Sequence, residues 1–358
     1  LIKVLVVDDS PVARDFLVHV LSRDPALKVV GTARDGEEAL AVVAERKPDV
    51  ITMDIRMPKM NGLEATRLIM ERYPTPIVIV SGTLSEEENA SFRAVEAGAL
   101  AVLQRPAGPG HPDHEATAGE LVRTVRLMSE VKVVKRWSSS RLSGATPVIP
   151  SPAAGIERAG APAQIKLVAI GASTGGPVIL HRILKGLPKD FPLPLLIVQH
   201  IAAGFVQGFA EWLNEATGFA VAVATHNERL LPGRAYVAPD NFHLEVAAVD
   251  RIMLVKREPE NGLRPSVSAL FRSVSQVYGK SAVGVLLTGM GKDGAHELLL
   301  MKERGAITLA QDKESSVIHG MPGEAVSLGA ATYVLSPEGI AALLTKLAVG
   351  KSDGGDQG

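Results

Sequence analysis

At 358 residues the chain exceeds what one hydrophobic core ordinarily fills, so two domains are expected. A formal net charge of -1 provides no field to gather nucleic acid or an anionic membrane, and the absence of cysteine excludes disulfides, thiolate metal sites and thiol nucleophiles. With 46% hydrophobic but only 4% aromatic residues, the chain suits buried parallel strands, and an α/β fold is expected throughout.

Lys3 to Val7 reads as a buried strand ending in Asp8-Asp9, with no signal-peptide pattern before it. No run of about 18 apolar residues follows anywhere, so no membrane insertion and a cytoplasmic location are expected. Leu1 in first place leaves the true start residue open. Asp49 to Met53 is a second strand, ending in Asp54. Ligand chemistry in a doubly wound sheet sits at the carboxyl ends of its strands, where these carboxylates can converge. Clustered acids repel one another, and a hard divalent ion such as Mg²⁺ relieves that repulsion; the plainer alternative is a set of helix caps and loop acids.

The continuation is more specific: Met57-Pro58-Lys59-Met60-Asn61-Gly62, then Ile77 to Val80 ending in Ser81-Gly82, then Ala97-Gly98-Ala99, Val102-Leu103 and Arg105-Pro106. This string resembles the receiver domain of two-component response regulators. The resemblance implies a flavodoxin-like sheet in which Asp54 accepts a phosphoryl group from a histidine kinase. It also implies that Asp8, Asp9 and Asp54 hold Mg²⁺, with Ser81 and Arg105 as switch residues. Arg105 replaces the family's lysine, and Val102 replaces the usual switch aromatic.

Glu115 to Trp137 reads as a helix, with Leu121, Val125, Leu127 and Met128 on its packed side. Lys132, Lys135 and Arg136 complement its dipole at the carboxyl end rather than forming a nucleic-acid patch. Ser138 to Gln164 is rich in Ser, Pro, Ala and Gly and reads as a flexible tether, which allows one domain to rest on the other and move away. The expected organisation is a first domain over 1–128, a linker over 129–164, a second domain over 165–348 and a disordered tail over 349–358.

In the second domain a strand from Lys166 to Ile170 runs into Gly171-Ala172-Ser173-Thr174-Gly175-Gly176, and a helix starts at Pro177. The G-x-S-x-G pattern lifts a serine on a sharp strand-to-helix turn; a glycine-rich phosphate cradle has the same local form. Leu193 to Val198 is a strand ending in Gln199-His200, Phe205 to Asn214 a helix, and Phe219 to Ala224 a strand. Arg234 to Ala238 and Ile252 to Lys256 read as short antiparallel strands, a small β insertion. Ala282 to Leu287 and Ala306 to Leu309 resume the parallel type. Thr288-Gly289-Met290-Gly291-Lys292-Asp293-Gly294 then places Asp293 on a tight loop at the edge where Ser173 and His200 lie.

In that arrangement His200 takes the serine proton and Asp293 fixes the imidazole tautomer. As alternatives, His200 is a buried structural histidine, Asp293 caps the helix beginning near Ala295, and His296 competes as the base. His226, His243 and His319 read as structural. An acidic residue to bind ribose is missing from the end of the second strand, which weakens the nucleotide alternative.

Together with Arg264-Pro265-Ser266-Val267 and Gly320-Met321-Pro322, these motifs resemble the CheB protein-glutamate methylesterases of bacterial chemotaxis. The resemblance implies a Rossmann-like three-layer domain with Ser173 as nucleophile, His200 as base and Asp293 as orienting acid. It further implies oxyanion donors at the backbone of Thr174 and Met290, methyl-accepting chemotaxis receptors as substrates, glutamine deamidation, and no cofactor for ester hydrolysis. Arg264 is a candidate contact to acidic receptor surface, and Ser268 stands where the family commonly carries aspartate. A non-enzymatic receptor-binding adaptor is the second reading. A DNA-binding regulator is opposed by the charge balance and the missing helix-turn-helix pattern.

Overall fold

The computed structural model describes residues 1–82, 88–131, 133, 164–247 and 250–348. The chain divides into two compact units, Leu1–Arg141 and Leu142–Gly358.

The first unit runs β1 (Ile2–Val7), α1 (Pro11–Ser22), β2 (Leu27–Ala33), α2 (Gly36–Arg46), β3 (Val50–Met53), α3 (Gly62–Arg72), β4 (Ile77–Ser81), α4 (Glu88–Ala97), β5 (Ala101–Gln104) and α5 (His114–Ser129). Its strands form a parallel sheet in the order β2-β1-β3-β4-β5. All of β3 and β4 is buried, as strands covered on both faces require. Leu5, Val7, Ile51, Met53 and Ile79 anchor one core. Helix starts follow capping chemistry: Ser10, Asp35 and Asn61 accept backbone N–H bonds from Ala13, Glu38 and Glu64.

Register sets the functional edge of this sheet. Val7 pairs with Met53, so Asp8 and Asp54 leave neighbouring strands at the same level. The Asp54 N–H donates to Val7 O at 2.9 Å and fixes that level.

The second unit contains β6 (Leu167–Ala172), α6 (Gly176–Gly186), β7 (Leu195–Gln199), α7 (Val206–Thr217), β8 (Ala220–Val223), β9 (Arg234–Val237), β10 (His243–Ala247) and β11 (Arg251–Val255). It continues through α8 (Val267–Val277), β12 (Ala282–Leu286), α9 (Ala295–Glu303), β13 (Ile307–Gln311), α10 (Met321–Ser327), β14 (Tyr333–Leu335) and α11 (Pro337–Ala348). Seven strands form one parallel sheet in the order β14-β13-β12-β6-β7-β9-β8. The chain builds outward from β6 on one side, then returns to build the other, so β6 lies at the switch point where α/β sheets open a crevice. Among the described residues no helix is long and apolar enough to cross a membrane.

Three expectations change. Arg234–Val237 is a parallel strand inside the main sheet between β7 and β8, and the antiparallel pair is β10 with β11. The misassignment arises because β9 is a four-residue strand beginning with arginine and lacks the long apolar run of a central strand. The short strand β14, with exposed Val334, carries no clear sequence signal either. Helix α5 ends at Ser129 rather than Trp137, and Leu127 on it is only half-buried. Lys132, Lys135 and Arg136 lie outside the described residues, as do the tail and most of the linker.

One close approach in the first unit is testable. A Cβ at Gly62 would collide with the backbone carbonyl oxygen of Asp54. Gly62→Ala is expected to destabilise this unit by about 2 kcal/mol, measured by denaturant unfolding, with no loss of β-sheet signal in the second unit.

Candidate active site

The first unit gathers carboxylates at the carboxyl end of its sheet. Asp8, Asp9 and Asp54 each place a ligand oxygen within 4.8 Å of the others, a donor set that fits a hard divalent cation. Asp8 is fully buried and Asp54 nearly so, whereas Asp9 is exposed. Burial pushes the Asp8 carboxyl up, and the opposing pull of the Arg105 guanidinium does not cancel it. Arg105 lies 2.7 Å from Asp8 Oδ2 and 3.9 Å from Asp54 Oδ1. Ser81, fully buried, ends the neighbouring strand β4. Val102 packs half-buried against the core.

In the second unit, three adjacent strands bring Ser173, His200 and Asp293 to one edge. Ser173 follows β6, His200 follows β7, and Asp293 lies in the loop after β12, with β6 paired to both neighbours. The backbone locks this arrangement across strands: Ser173 N–H donates to Thr288 O at 3.0 Å, and His200 N–H to Ala172 O at 2.9 Å. Gly289 belongs to the same contact, because a Cβ there would stand 2.7 Å from Ser173 Cβ. Ser173 itself remains half-exposed at the amino end of α6.

His200 Nε2 lies 3.0 Å from Asp293 Oδ2. With Nε2 facing a carboxylate, the proton of the neutral ring belongs on Nε2 and the basic lone pair on Nδ1. Asp293 is 5% exposed, so its charge needs donors. They come from the start of α8: Val267 N–H at 2.7 Å, Ser268 N–H at 3.1 Å and Ser266 Oγ–H at 3.0 Å. Asp293 thus caps α8 from outside, not the helix that follows it, whose N-cap Gly294 makes no side-chain bond. Burial raises the Asp293 pKa, but the His200 hydrogen bond and charge, with the α8 donors, outweigh it and bring the value to about 2.

Two backbone donors beside the serine have no protein acceptor among the described residues, the N–H groups of Thr174 and Met290. The Ser173 N–H, by contrast, is committed to Thr288 O. Gln199 is the residue that sequence reasoning undervalued. Buried to 3% exposure, it donates Nε2 hydrogens to Ser173 O and His200 O, both at 2.8 Å. Its other amide atom rests against Gly176, where a Cβ would collide with it. The only sequence signal was its position before His200.

Of the other histidine candidates, only His319 borders this site, through a backbone bridge to Gly289. His296 is exposed on α9. His243 is buried with Nε2 at 3.1 Å from Glu258 O, and His226 Nδ1 accepts Leu254 N–H. His319 adjoins Ser316, with burial pushing its imidazole pKa down. Arg264 is half-buried and donates to Arg257 O at 2.8 Å, so one arm of its guanidinium is already engaged.

Comparison with known proteins places the chain in a family. Residues 168–344 match the CheB methylesterase family model, and residues 4–111 match the response regulator receiver domain. The chain is 58% identical over 353 residues to a protein-glutamate methylesterase/protein-glutamine glutaminase of Geobacter metallireducens, covering 98% of this chain and 100% of that one. A protein of the same description from Nitrosospira multiformis is 58% identical over 348 residues, covering 97% of each. The crystal structure of the Thermotoga maritima CheB methylesterase catalytic domain is similar at 38% identity and a TM-score of 0.50, covering 51% of this chain and 98% of that one. The chain belongs to the CheB methylesterase family, with a response regulator receiver domain ahead of the methylesterase domain.

The depressed Asp293 pKa carries a stability consequence. Folding lowers it from 3.8 to about 2, so its contribution is complete above about pH 4 and is lost as pH falls through about 2. Wild type is expected to lose about 2 kcal/mol more than Asp293→Asn between those limits, read from unfolding curves at each pH.

Proposed function

We propose that this chain hydrolyses glutamate γ-methyl esters on chemotaxis receptors, releases methanol, deamidates receptor glutamines, and is controlled by phosphorylation of Asp54 for chemotactic adaptation. The observation that carries the catalytic half is His200 Nε2 at 3.0 Å from Asp293, on strands flanking the one that presents Ser173. Membership in the CheB methylesterase family supplies the substrate class.

Ser173 Oγ attacks the ester carbonyl while His200 Nδ1 takes its proton, and the Asp293 carboxylate stabilises the resulting imidazolium through Nε2–H. Charge collects on the carbonyl oxygen, where the unengaged Thr174 and Met290 N–H groups serve as donors. Collapse of the tetrahedral intermediate breaks the C–O bond, and His200 returns the proton to departing methanol. Water then adds to the acyl-serine with His200 as base, and release of the glutamate carboxylate restores Ser173. A glutamine side chain follows the same path with ammonia as leaving group. No metal is needed for this chemistry. Arg264 is placed as a receptor contact on the strength of its resemblance to the family motif alone.

In the receiver, residues 1–128, Asp54 is the phosphoryl acceptor from a histidine kinase. Asp8, Asp9 and Asp54 would hold Mg²⁺, which when bound would supply neutralising charge for the crowded phosphoryl oxygens. Arg105, already 3.9 Å from Asp54 Oδ1, is the side chain that meets the added negative charge, and Ser81 is the switch hydroxyl. The linker over 129–164 joins the receiver to the methylesterase domain over 165–348.

Methanol release from methylated receptor membranes tests both halves. Ser173→Ala is expected to lower release by about 10³-fold or more, and a small phosphodonor with Mg²⁺ to raise it in wild type but not in Asp54→Ala. Unimpaired release by Ser173→Ala would reject the nucleophile, and equal stimulation of Asp54→Ala would reject the switch.

A further inference from the structure

We propose that Ser268 is a positioning residue for Asp293, with its hydroxyl held by Glu297 and, through Glu297, by Arg272. The inference rests on the Ser173, His200 and Asp293 reading above.

Ser268 is 4% exposed, in the first turn of α8, and its two polar groups divide their work. Its N–H donates to Asp293 Oδ1 at 3.1 Å, so any movement of this turn moves a bond to the acid. Its hydroxyl oxygen accepts the Gly294 N–H at 3.1 Å and therefore grips the chain one residue beyond Asp293. Gly294 has φ +81°, and a Cβ there would collide with Val267; the turn carrying Asp293 is thus held against the start of α8 by side-chain packing and by this hydroxyl.

The hydroxyl proton goes to Glu297 Oε2 at 2.6 Å, a short bond to a carboxylate from the first turn of α9. Because Ser268 has one proton, this acceptor turns its lone pairs toward Gly294. Glu297 is itself oriented: Arg272 Nη2 lies 3.3 Å from Glu297 Oε1, while Arg272 makes paired bonds of 3.0 and 2.9 Å to Glu260. The chain of contacts therefore runs from Glu260 and Arg272 through Glu297 and Ser268 to the turn that aims Asp293 at His200. Among the described residues, none of these except Asp293 is hydrogen-bonded or ion-paired to His200 or Ser173; their role is to hold the acid still. Misplacement of a group in a reacting constellation has a large cost in rate, and a freed Asp293 stabilises the imidazolium less.

The test uses the full-length protein with methylated receptor membranes, comparing wild type, Ser268→Ala, Glu297→Ala, the double variant, Ser268→Thr and Ser173→Ala. Ser268→Ala and Glu297→Ala are each expected to lower kcat by about 10-fold with KM little changed. The double variant should lose no more than Ser268→Ala, since the two act as one unit, and Ser268→Thr should restore most of kcat. Thermal unfolding of each variant separates folding losses from this pattern. A Ser268→Ala enzyme with wild-type kcat, or fully additive losses in the double variant, would overturn the proposal. Loss of release in Ser173→Ala alongside an unaltered Ser268→Ala would reject only this inference, whereas persistent release in Ser173→Ala would remove the reading beneath it.

Discussion

Parallel pairing of β6 with β12 on one side and β7 on the other is the constraint from which the hydrolytic site follows. Parallel strands deliver their carboxyl ends to the same edge, so residues more than a hundred positions apart arrive within bonding distance without any local motif joining them. The last pairs of the ladder, Leu286 with Gly171 and Ala172 with Gln199, set the levels at which the catalytic loops leave the sheet. A slip of one residue would send each following side chain to the opposite face. The inter-loop bonds from Ser173 N–H to Thr288 O and from His200 N–H to Ala172 O continue that register beyond the strands.

Placing an ionised carboxylate at this edge has a desolvation cost that the unit meets locally. Asp293 is buried, and the orphan amides at the start of α8 supply donors that need no reorganisation, since helix geometry already points them outward. The receiver differs: Arg105 lies against buried Asp8 and near Asp54, yet burial still holds the Asp8 carboxyl above its usual range. The two sites differ in what they must do with charge. On the proposed reading the receiver collects negative charge and must neutralise it, whereas the hydrolytic site holds one negative charge to steady a histidine that becomes positive for an instant.

Much of this was legible in the sequence, and the reasons are physical. Continuous apolar runs such as Val4 to Val7 and Leu195 to Val198 announce strands buried on both faces, and acids, serine or histidine at their carboxyl ends announce chemistry there. Short elements were poorly legible. Strand β9 has four residues and one charge, and its pairing with β7 depends on a crossover that no local pattern encodes. Partners that act from afar were invisible too. Gln199 looks like any polar strand end until its amide is seen between two carbonyls, and the donors to Asp293 come from a helix about 25 residues upstream. In the sequence Asp293 reads equally as a cap for its own following helix; it caps α8 instead, because the turn at Gly294 directs the carboxylate back toward that amino terminus.

The central claim is that Ser173 is a nucleophile made reactive by His200 and Asp293. Mass spectrometry after exposure to a fluorophosphonate, which transfers its phosphonyl group to an activated serine oxygen and expels fluoride, examines that claim directly. The account predicts one adduct mapped to Ser173 in the wild type, forming far more slowly in His200→Gln and Asp293→Asn. Labelling at Ser173 that is equally fast in all three proteins, or an adduct on a different serine, would contradict it.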